Sequence, residues 1–285
     1  MLDQAQRLRQ LAENQGEYKK KAKIVTITSG KGGVGKSNIV VNIAIQLRKM
    51  GKSVLVFDAD IGMGNDDVLM GIYPKYNMFS VISNDMDIMD VICDGPEGIK
   101  LLSGGSGLNK IEDLKEEERK VFLDKLESLD EFDYILMDTG AGINRSVLAF
   151  IACCDELVLV TTPEPTSLTD GYSLLKAVNH FKIKENASII INKTLENDEG
   201  VETFSKFKGV VQRFLNLEIN YLGQIFEDKK LVQAVRSQVP FSIKYPNCSA
   251  SKCIIEITNN LVGIKGENNH SGATGLFKKI FNIFS

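Results

Sequence analysis

The sequence predicts an α/β fold in which a mostly parallel, doubly wound sheet is flanked by helices. Three observations carry that expectation. Short apolar runs rich in β-branched residues alternate with longer helical stretches along most of the chain. Several of the runs end in an acid or a small polar residue, as strands do where they meet a ligand crevice. The first run, Ile24-Val25-Thr26-Ile27-Thr28, passes through Ser29-Gly30-Lys31-Gly32-Gly33-Val34-Gly35-Lys36-Ser37 into a helical stretch from Asn38 to Met50.

That strand, glycine-rich loop and helix form the context of a phosphate-binding loop, so the fold class narrows to a P-loop NTPase. The spacing G-x-x-x-x-G-K-S holds from Gly30 to Ser37. Glycines at 30, 32, 33 and 35 let backbone N–H groups converge on phosphate oxygens, and the new helix adds the positive end of its dipole. Candidate nucleotide contacts are Gly30, Lys31, Gly32, Gly33, Val34, Gly35, Lys36, Ser37 and Asn38. Lys36 is placed to neutralise β- and γ-phosphate charge, and the Ser37 hydroxyl to complete a Mg²⁺ shell, which implies ATP and Mg²⁺.

Composition bounds the rest. The chain has 285 residues, 43% hydrophobic and 25% charged, with a formal net charge of −3. That balance lacks the concentrated basic face of a nucleic-acid binder, so no specific nucleic-acid partner is expected. No apolar run is long enough to span a bilayer. Arg7, Arg9, Glu13 and Glu17 interrupt any signal-peptide pattern, so a cytoplasmic protein is expected. Five cysteines, with Cys153 beside Cys154 and Cys248 five residues before Cys253, give neither a disulfide framework nor a C-x-x-C pair.

Taken in order, residues 2–15 hold strong helix formers with a short apolar stripe, and Lys19, Lys20, Lys21 and Lys23 lead into the first strand. Ser53 to Phe57 reads as a buried strand ending in Asp58-Ala59-Asp60. Asp60 can accept a hydrogen bond from a water in line with the γ-phosphate, and Asp58 can serve the Mg²⁺ second shell; a strand-end cap is the simpler alternative for either. Residues 71–98 read as a punctuated connection with short helices, 99–102 as the third strand, and 111–129 as a helix with a charged face. Phe132 to Gly142 is a strand ending in Asp138, placed to hold Mg²⁺ through water, followed by a small-residue turn with Gly140 and Gly142. Glu156 to Thr161 is another buried strand, with Thr166 or Ser167 as the cap of the helix reaching His180. Strands at 187–193 and 221–225 follow, then Phe226-Glu227-Asp228. Residues 263–274 read as a flexible linker. Beyond it, Leu276, Phe277, Ile280, Phe281 and Phe284 share one face of an amphipathic helix over 275–285, too short to span a membrane and patterned to lie on one; docking on the core is the alternative.

The segment K-G-G-x-G-K-S, with its additional Lys31, resembles the deviant Walker A loop of the MinD/ParA ATPases. The resemblance covers about 24–262 and both tails. It implies an ATP-dependent homodimer in which Lys31 reaches the partner's phosphates, so Lys31, Lys36 and Asp60 become the catalytic set. It also implies that Asp60 positions the attacking water, that Asn65 in the 61–66 switch contacts phosphate, and that Asn192 reads adenine with Asp228 completing the base pocket. Metal-shell roles fall to Ser37, Asp58 and Asp138. Asp138-Thr139-Gly140-Ala141-Gly142 departs from the family's usual D-x-P-A-G and is similar to the FlhG branch, which controls flagellar number and placement. The N-terminal Asp3-Gln4-Ala5-Gln6-Arg7-Leu8-Arg9 resembles that branch's D-Q-A-x-x-L-R segment. By that resemblance Asp3, Gln4, Ala5, Leu8 and Arg9 would contact FlhF, a signal-recognition-particle-type GTPase, with flagellar C-ring proteins as further partners. The C-terminal helix is similar to MinD's membrane-targeting helix, which implies a peripheral location on the inner face of the cell membrane in the ATP state. The resulting layout is an activating segment (1–23), an ATPase domain (24–262), a linker (263–274) and a membrane helix (275–285). A septum-site ATPase that recruits a division inhibitor is the alternative function; a DNA-partition ATPase and an iron–sulfur carrier fit the sequence less well.

Overall fold

Alternation of side chains along the strands dictates the layers. The computed structural model describes residues 21–60, 64–84, 86–105, 116–264 and 272–284. The strands are β1 (Lys23–Ser29), β2 (Val54–Ala59), β3 (Cys93–Asp94), β4 (Lys100–Ser103), β5 (Tyr134–Ala141), β6 (Glu156–Thr161), β7 (Asn186–Thr194) and β8 (Glu218–Phe226). Among the described residues they form one eight-stranded sheet in the order β3-β4-β2-β5-β1-β6-β7-β8. Every pairing is parallel except that of the two-residue edge strand β3 with β4. Strands buried on both faces have no polar side to show, so they read as continuous apolar runs. Within them, Phe57, Ile135, Met137, Leu157, Leu159 and Ile189 serve one face, and Val54, Val56, Leu136, Val158, Val160 and Ile190 the other.

The helices are α1 (Lys36–Lys49), α2 (Asp66–Met70), α3 (Met78–Ser83), α4 (Ile88–Val91), α5 (Glu116–Lys125), α6 (Arg145–Cys153), α7 (Pro165–His180), α8 (Glu199–Phe214), α9 (Lys229–Arg236), α10 (Phe241–Lys244), α11 (Ser249–Gly263) and α12 (Gly272–Phe284). α1 and α11 cover the second face; α6, α7, α8 and α12 cover the first. The expected architecture therefore stands. Three local readings change. β3 precedes the expected third strand and is too short to leave a periodic signal. The helix expected over 111–129 ends its α-helical part at Lys125 and tightens into a 3₁₀ turn, Leu126–Glu131, while 111–115 lie outside the described residues. The N-cap position of α7 is Glu164, which makes no capping side-chain hydrogen bond, and Pro165 holds the first helical position, so neither Thr166 nor Ser167 is the cap; the Ser167 hydroxyl instead pairs with Thr161 at 2.9 Å and accepts the Thr162 N–H at 3.1 Å.

The C-terminal helix takes the docked placement that the sequence left open as its alternative. It starts at Gly272, and its apolar face is docked on the core rather than presented outward. Leu276, Phe277, Ile280 and Phe281 are all at most 4% exposed. Phe277 packs edge-on against Phe122 at 5.6 Å and tilts onto Phe57 of β2 at 6.1 Å. Phe281 stacks edge-on to Phe122 at 6.1 Å, under the Arg119 guanidinium. The first turn is tied down by the Ala273 N–H, which donates to the Asp130 carboxylate at 2.6 Å. Phe284 ends the helix with its side chain outside the described residues, as are residues 1–20 with the whole expected partner-binding segment, and 265–271 of the expected linker.

Removing the Phe277 ring empties a site shared by two other rings. Phe277→Ala is expected to lower the unfolding free energy by about 3–5 kcal/mol in urea titrations. A loss under 1 kcal/mol would mean that the helix contributes nothing to the folded domain.

Candidate nucleotide-binding site

Parallel strands deliver their carboxyl ends to one edge, and the site is built there. At the end of β1 the chain turns through the glycine-rich loop into α1. Gly35 takes φ +92°, a left-handed conformation that side chains disfavour, and a Cβ there would lie 2.4 Å from the Asn192 amide nitrogen. The loop is held from outside by β7: the Asn192 amide donates to the Val34 carbonyl at 2.7 Å, and Lys193 donates to the Gly33 carbonyl at 2.8 Å. A cleft of about 350 Å³ opens above it, lined by Gly32, Gly33, Val34, Gly35, Lys36, Ser37 and Asn38 of the loop and helix. Asp60, Asn65 and Ala141 close its far side. Of the expected loop contacts, Gly30 and Lys31 stand off this lining.

Lys36 is buried, and its ammonium is paired with the Asp138 carboxylate. Asp138 is the register partner of Asp58 on the adjacent strand β2, so the two acids sit side by side at the sheet edge. Burial, then the Asp138 charge, pushes the Asp58 carboxyl up to about 7, against the pull of N–H groups from Asp60 and Asp66. Asp60 lies across from the turn after β5: a Cβ on Gly140 would meet its carboxylate at 3.4 Å. That turn is anchored at both ends. The Thr139 hydroxyl donates to its neighbour's carbonyl at 3.0 Å and reaches the Ile27 carbonyl at 3.4 Å, and the Gly142 N–H donates to the Ser29 carbonyl at 2.9 Å. The threonine in D-T-G-A-G thus ties this turn to β1.

Lys31 points the other way. Its side chain is 40% exposed, and its ammonium donates to Glu164 at 3.2 Å and to Thr166 at 2.9 Å, both at the start of α7. Asn192 and Asp228 line a second, smaller hollow of about 90 Å³ with Asn38, Ile225, Phe226 and Leu231. One edge of the Asn192 amide is already spent on Val34. The Asp228 side chain caps α9 by accepting the Lys230 N–H at 2.8 Å.

These residues fit Mg²⁺ and nucleoside phosphate. Lys36, the loop N–H groups and the helix start could hold an anion, and Ser37, Asp58 and Asp138 carry the oxygens that could serve a cation. Among the described residues no three His, Cys, Asp or Glu side chains stand converged as a ready-made metal cage. That suits a cation whose inner ligands are phosphate, water and one hydroxyl, with carboxylates acting through water. The cysteines are free, four of them buried, and burial pushes the Cys153 thiol up to about 12, away from the thiolate needed for metal ligation. Sequence reasoning missed Asp66, which follows the expected Asn65 and is fully buried against Asp58 and Asp138. An acid opening a short helix carries no signal beyond dipole compensation; only its burial marks it.

The ParA family model, described as NUBPL iron-transfer P-loop NTPase, matches residues 20–262. The flagellum site-determining protein YlxH of Helicobacter pylori is 37% identical over 248 residues, covering 86% of this chain and 84% of its own. The antiactivator FleN of Pseudomonas aeruginosa is 34% identical over 229 residues, covering 80% and 82%. The MinC:MinD cell division complex of Aquifex aeolicus superposes with a TM-score of 0.67 at 26% identity, covering 86% of this chain and 97% of that one.

Lys36→Ala should leave Asp138 buried without its cation, costing about 3–5 kcal/mol of apo stability in urea unfolding, and should abolish nucleotide binding. Lys36→Ala with Asp138→Asn should regain most of the stability and none of the binding. Binding retained by the single variant would remove Lys36 from the phosphate site.

Proposed function

The chain belongs to the ParA/MinD family of P-loop NTPases, and from that membership we propose that it is an ATP-driven, dimerising switch for flagellar number and placement that associates with the membrane. The observation that carries the reading is the division of labour between two lysines of one loop. Lys36 is buried on the metal-side aspartate, whereas Lys31 is exposed on Glu164. A buried lysine serves the nucleotide of its own chain; an exposed one is free to serve another's. The similarity to FleN and YlxH supports the flagellar direction.

In this reading Lys36 leaves Asp138 for the phosphates of ATP, and Asp138 turns to the metal side with Asp58 and Ser37. Mg²⁺ bound there supplies charge neutralisation along the phosphate chain. Asp60, opposite Gly140, orients the attacking water, and hydrolysis gives ADP and phosphate. Asn65 closes on phosphate from the switch that precedes α2. Asn192 presents its remaining amide edge to adenine beside Asp228. Lys31 gives up a surface ion pair worth only about 0–1 kcal/mol and crosses to the partner's phosphates, so the catalytic set of Lys31, Lys36 and Asp60 is complete in the dimer alone.

Membrane association requires α12 to leave the core, because one apolar face cannot be buried in two places. Phe57, which Phe277 covers, is adjacent in sequence to Asp58, so the helix rests on the strand that carries the metal-side carboxylate. A released pair of helices on one dimer gains avidity of about 10²-fold or more over one helix. The site of action is then the inner face of the cell membrane in the ATP state and the cytoplasm otherwise. Residues 1–20, through Asp3, Gln4, Ala5, Leu8 and Arg9, stimulate an FlhF-type GTPase, with C-ring proteins downstream.

The test is GTP turnover by the cognate FlhF-type GTPase with the full chain and with Gln4→Ala/Arg7→Ala/Arg9→Ala. Stimulation by the first and not the second is expected. No stimulation at saturating protein would overturn the flagellar assignment and favour the septum-site reading, to which the likeness to MinD points.

A further inference from the structure

Asp66 has a problem that the rest of the site does not solve. It opens α2, is completely buried, and neither carboxylate oxygen receives a hydrogen bond from any described N–H or hydroxyl donor. Its neighbours are Asp138, Asp58 and Lys36. The Asp138 carboxyl is the side chain at hydrogen-bonding range, and two carboxylates bond each other only by sharing a proton. Lys36 is the cation of the cluster and is committed to Asp138. Three buried carboxylates therefore face one ammonium. An unsatisfied buried acid costs stability unless something positive arrives.

The local backbone keeps the cluster tight. The Asp66 N–H donates to the Asp58 carboxylate, so α2 begins directly on β2's acid. A Cβ at Gly64 would lie 2.2 Å from the Asp58 carboxylate oxygen, so a side chain there would have to displace that carboxylate. Asn65, which lines the phosphate cleft, sits between these two residues.

We propose that Asp66 is a positioning residue for the divalent cation, acting through water on the metal side of the cleft, so that cation binding draws α2 and Asn65 into their closed placement. The proposal rests on the nucleotide and Mg²⁺ reading above and adds to it a specific route from the metal to the switch. With the cation present, the charge deficit of Asp58, Asp66 and Asp138 is met and α2 is held. Without it, Asp66 strains the segment it begins.

The experiment uses the full chain and Asp66→Asn, which keeps the shape and removes the charge. Thermal unfolding is followed with no cation, with Mg²⁺ alone and with Mn²⁺ alone, and ADP binding is titrated against Mg²⁺. The variant should melt higher than the parent without cation and lose at least half of the cation-induced upshift. Its Mg²⁺ midpoint for ADP binding should rise by ~10-fold, with ADP affinity at saturating Mg²⁺ changed less than ~2-fold. A merely structural Asp66 would give a variant that melts lower without cation, and a shared proton with Asp138 would leave both proteins equally indifferent to cation; either result overturns the proposal. Should the variant not fold, the parent alone decides: amides of 66–70 must exchange more slowly with Mg²⁺ than without it, and equal exchange overturns the proposal. Absence of nucleotide binding by the parent would strike the functional reading instead, since the cation-alone arm stands apart from it.

Discussion

The pairing of Lys36 with Asp138 at the carboxyl edge of the sheet is the interaction on which the rest of the site depends. It joins the glycine-rich loop to the acidic end of β5, and it is buried, so neither partner is solvated if the other moves. Breaking such a pair is costly unless both charges find new partners at once. In the proposed function, phosphate and a divalent cation together would provide them: the anion would take the lysine and the cation the aspartate. Phosphate alone would take the lysine and leave the buried carboxylates without a cation. The apo cluster carries more carboxylate than ammonium, with Asp58 raised to about 7 by burial and by Asp138, which biases the cleft toward the cation–nucleotide pair.

From that edge the structure reaches two surfaces. One route is short. The Ser29 carbonyl accepts the Gly142 N–H, so the loop that would hold phosphate and the turn that would sense it are hydrogen-bonded to each other. The second passes through the core: Phe57 meets Phe150 of α6 at 6.3 Å and Phe277 of α12 at 6.1 Å. A shift of β2's end is thereby felt by the two helices packed on that face. Each large apolar side chain that α12 buries is worth about 1.5–3 kcal/mol, so a bilayer must offer at least as good a home before the helix leaves. Two helices held on one dimer meet that condition more readily than one.

Much of this was legible in the sequence because it is local. The glycine spacing from Gly30 to Ser37, the acid after an apolar run at Asp138 and the strand–helix alternation each report on neighbouring residues. The readings that changed depend on distant ones. An amphipathic stripe of Leu276, Phe277, Ile280 and Phe281 is the same pattern whether it meets lipid or the rings of Phe57 and Phe122, and only the fold says which is present. β3 is two residues long, shorter than any periodicity. The N-cap position of α7 falls at Glu164, with no side-chain cap, because Pro165 fixes the first helical position, which Thr166 and Ser167 as candidates overlooked. Asp66 reads as an ordinary acid at a helix start until the strands bring Asp58 and Asp138 around it.

The central claim is that one nucleotide state governs both the cleft and the C-terminal helix. The most direct measurement is amide hydrogen exchange of residues 272–284, with no nucleotide, with Mg²⁺–ADP and with Mg²⁺ and a non-hydrolysable ATP analogue. The account requires slow exchange in the first two states and fast exchange in the third, with Lys31→Ala remaining slow throughout. Equal protection in all three states would contradict it and leave α12 a permanent part of the core.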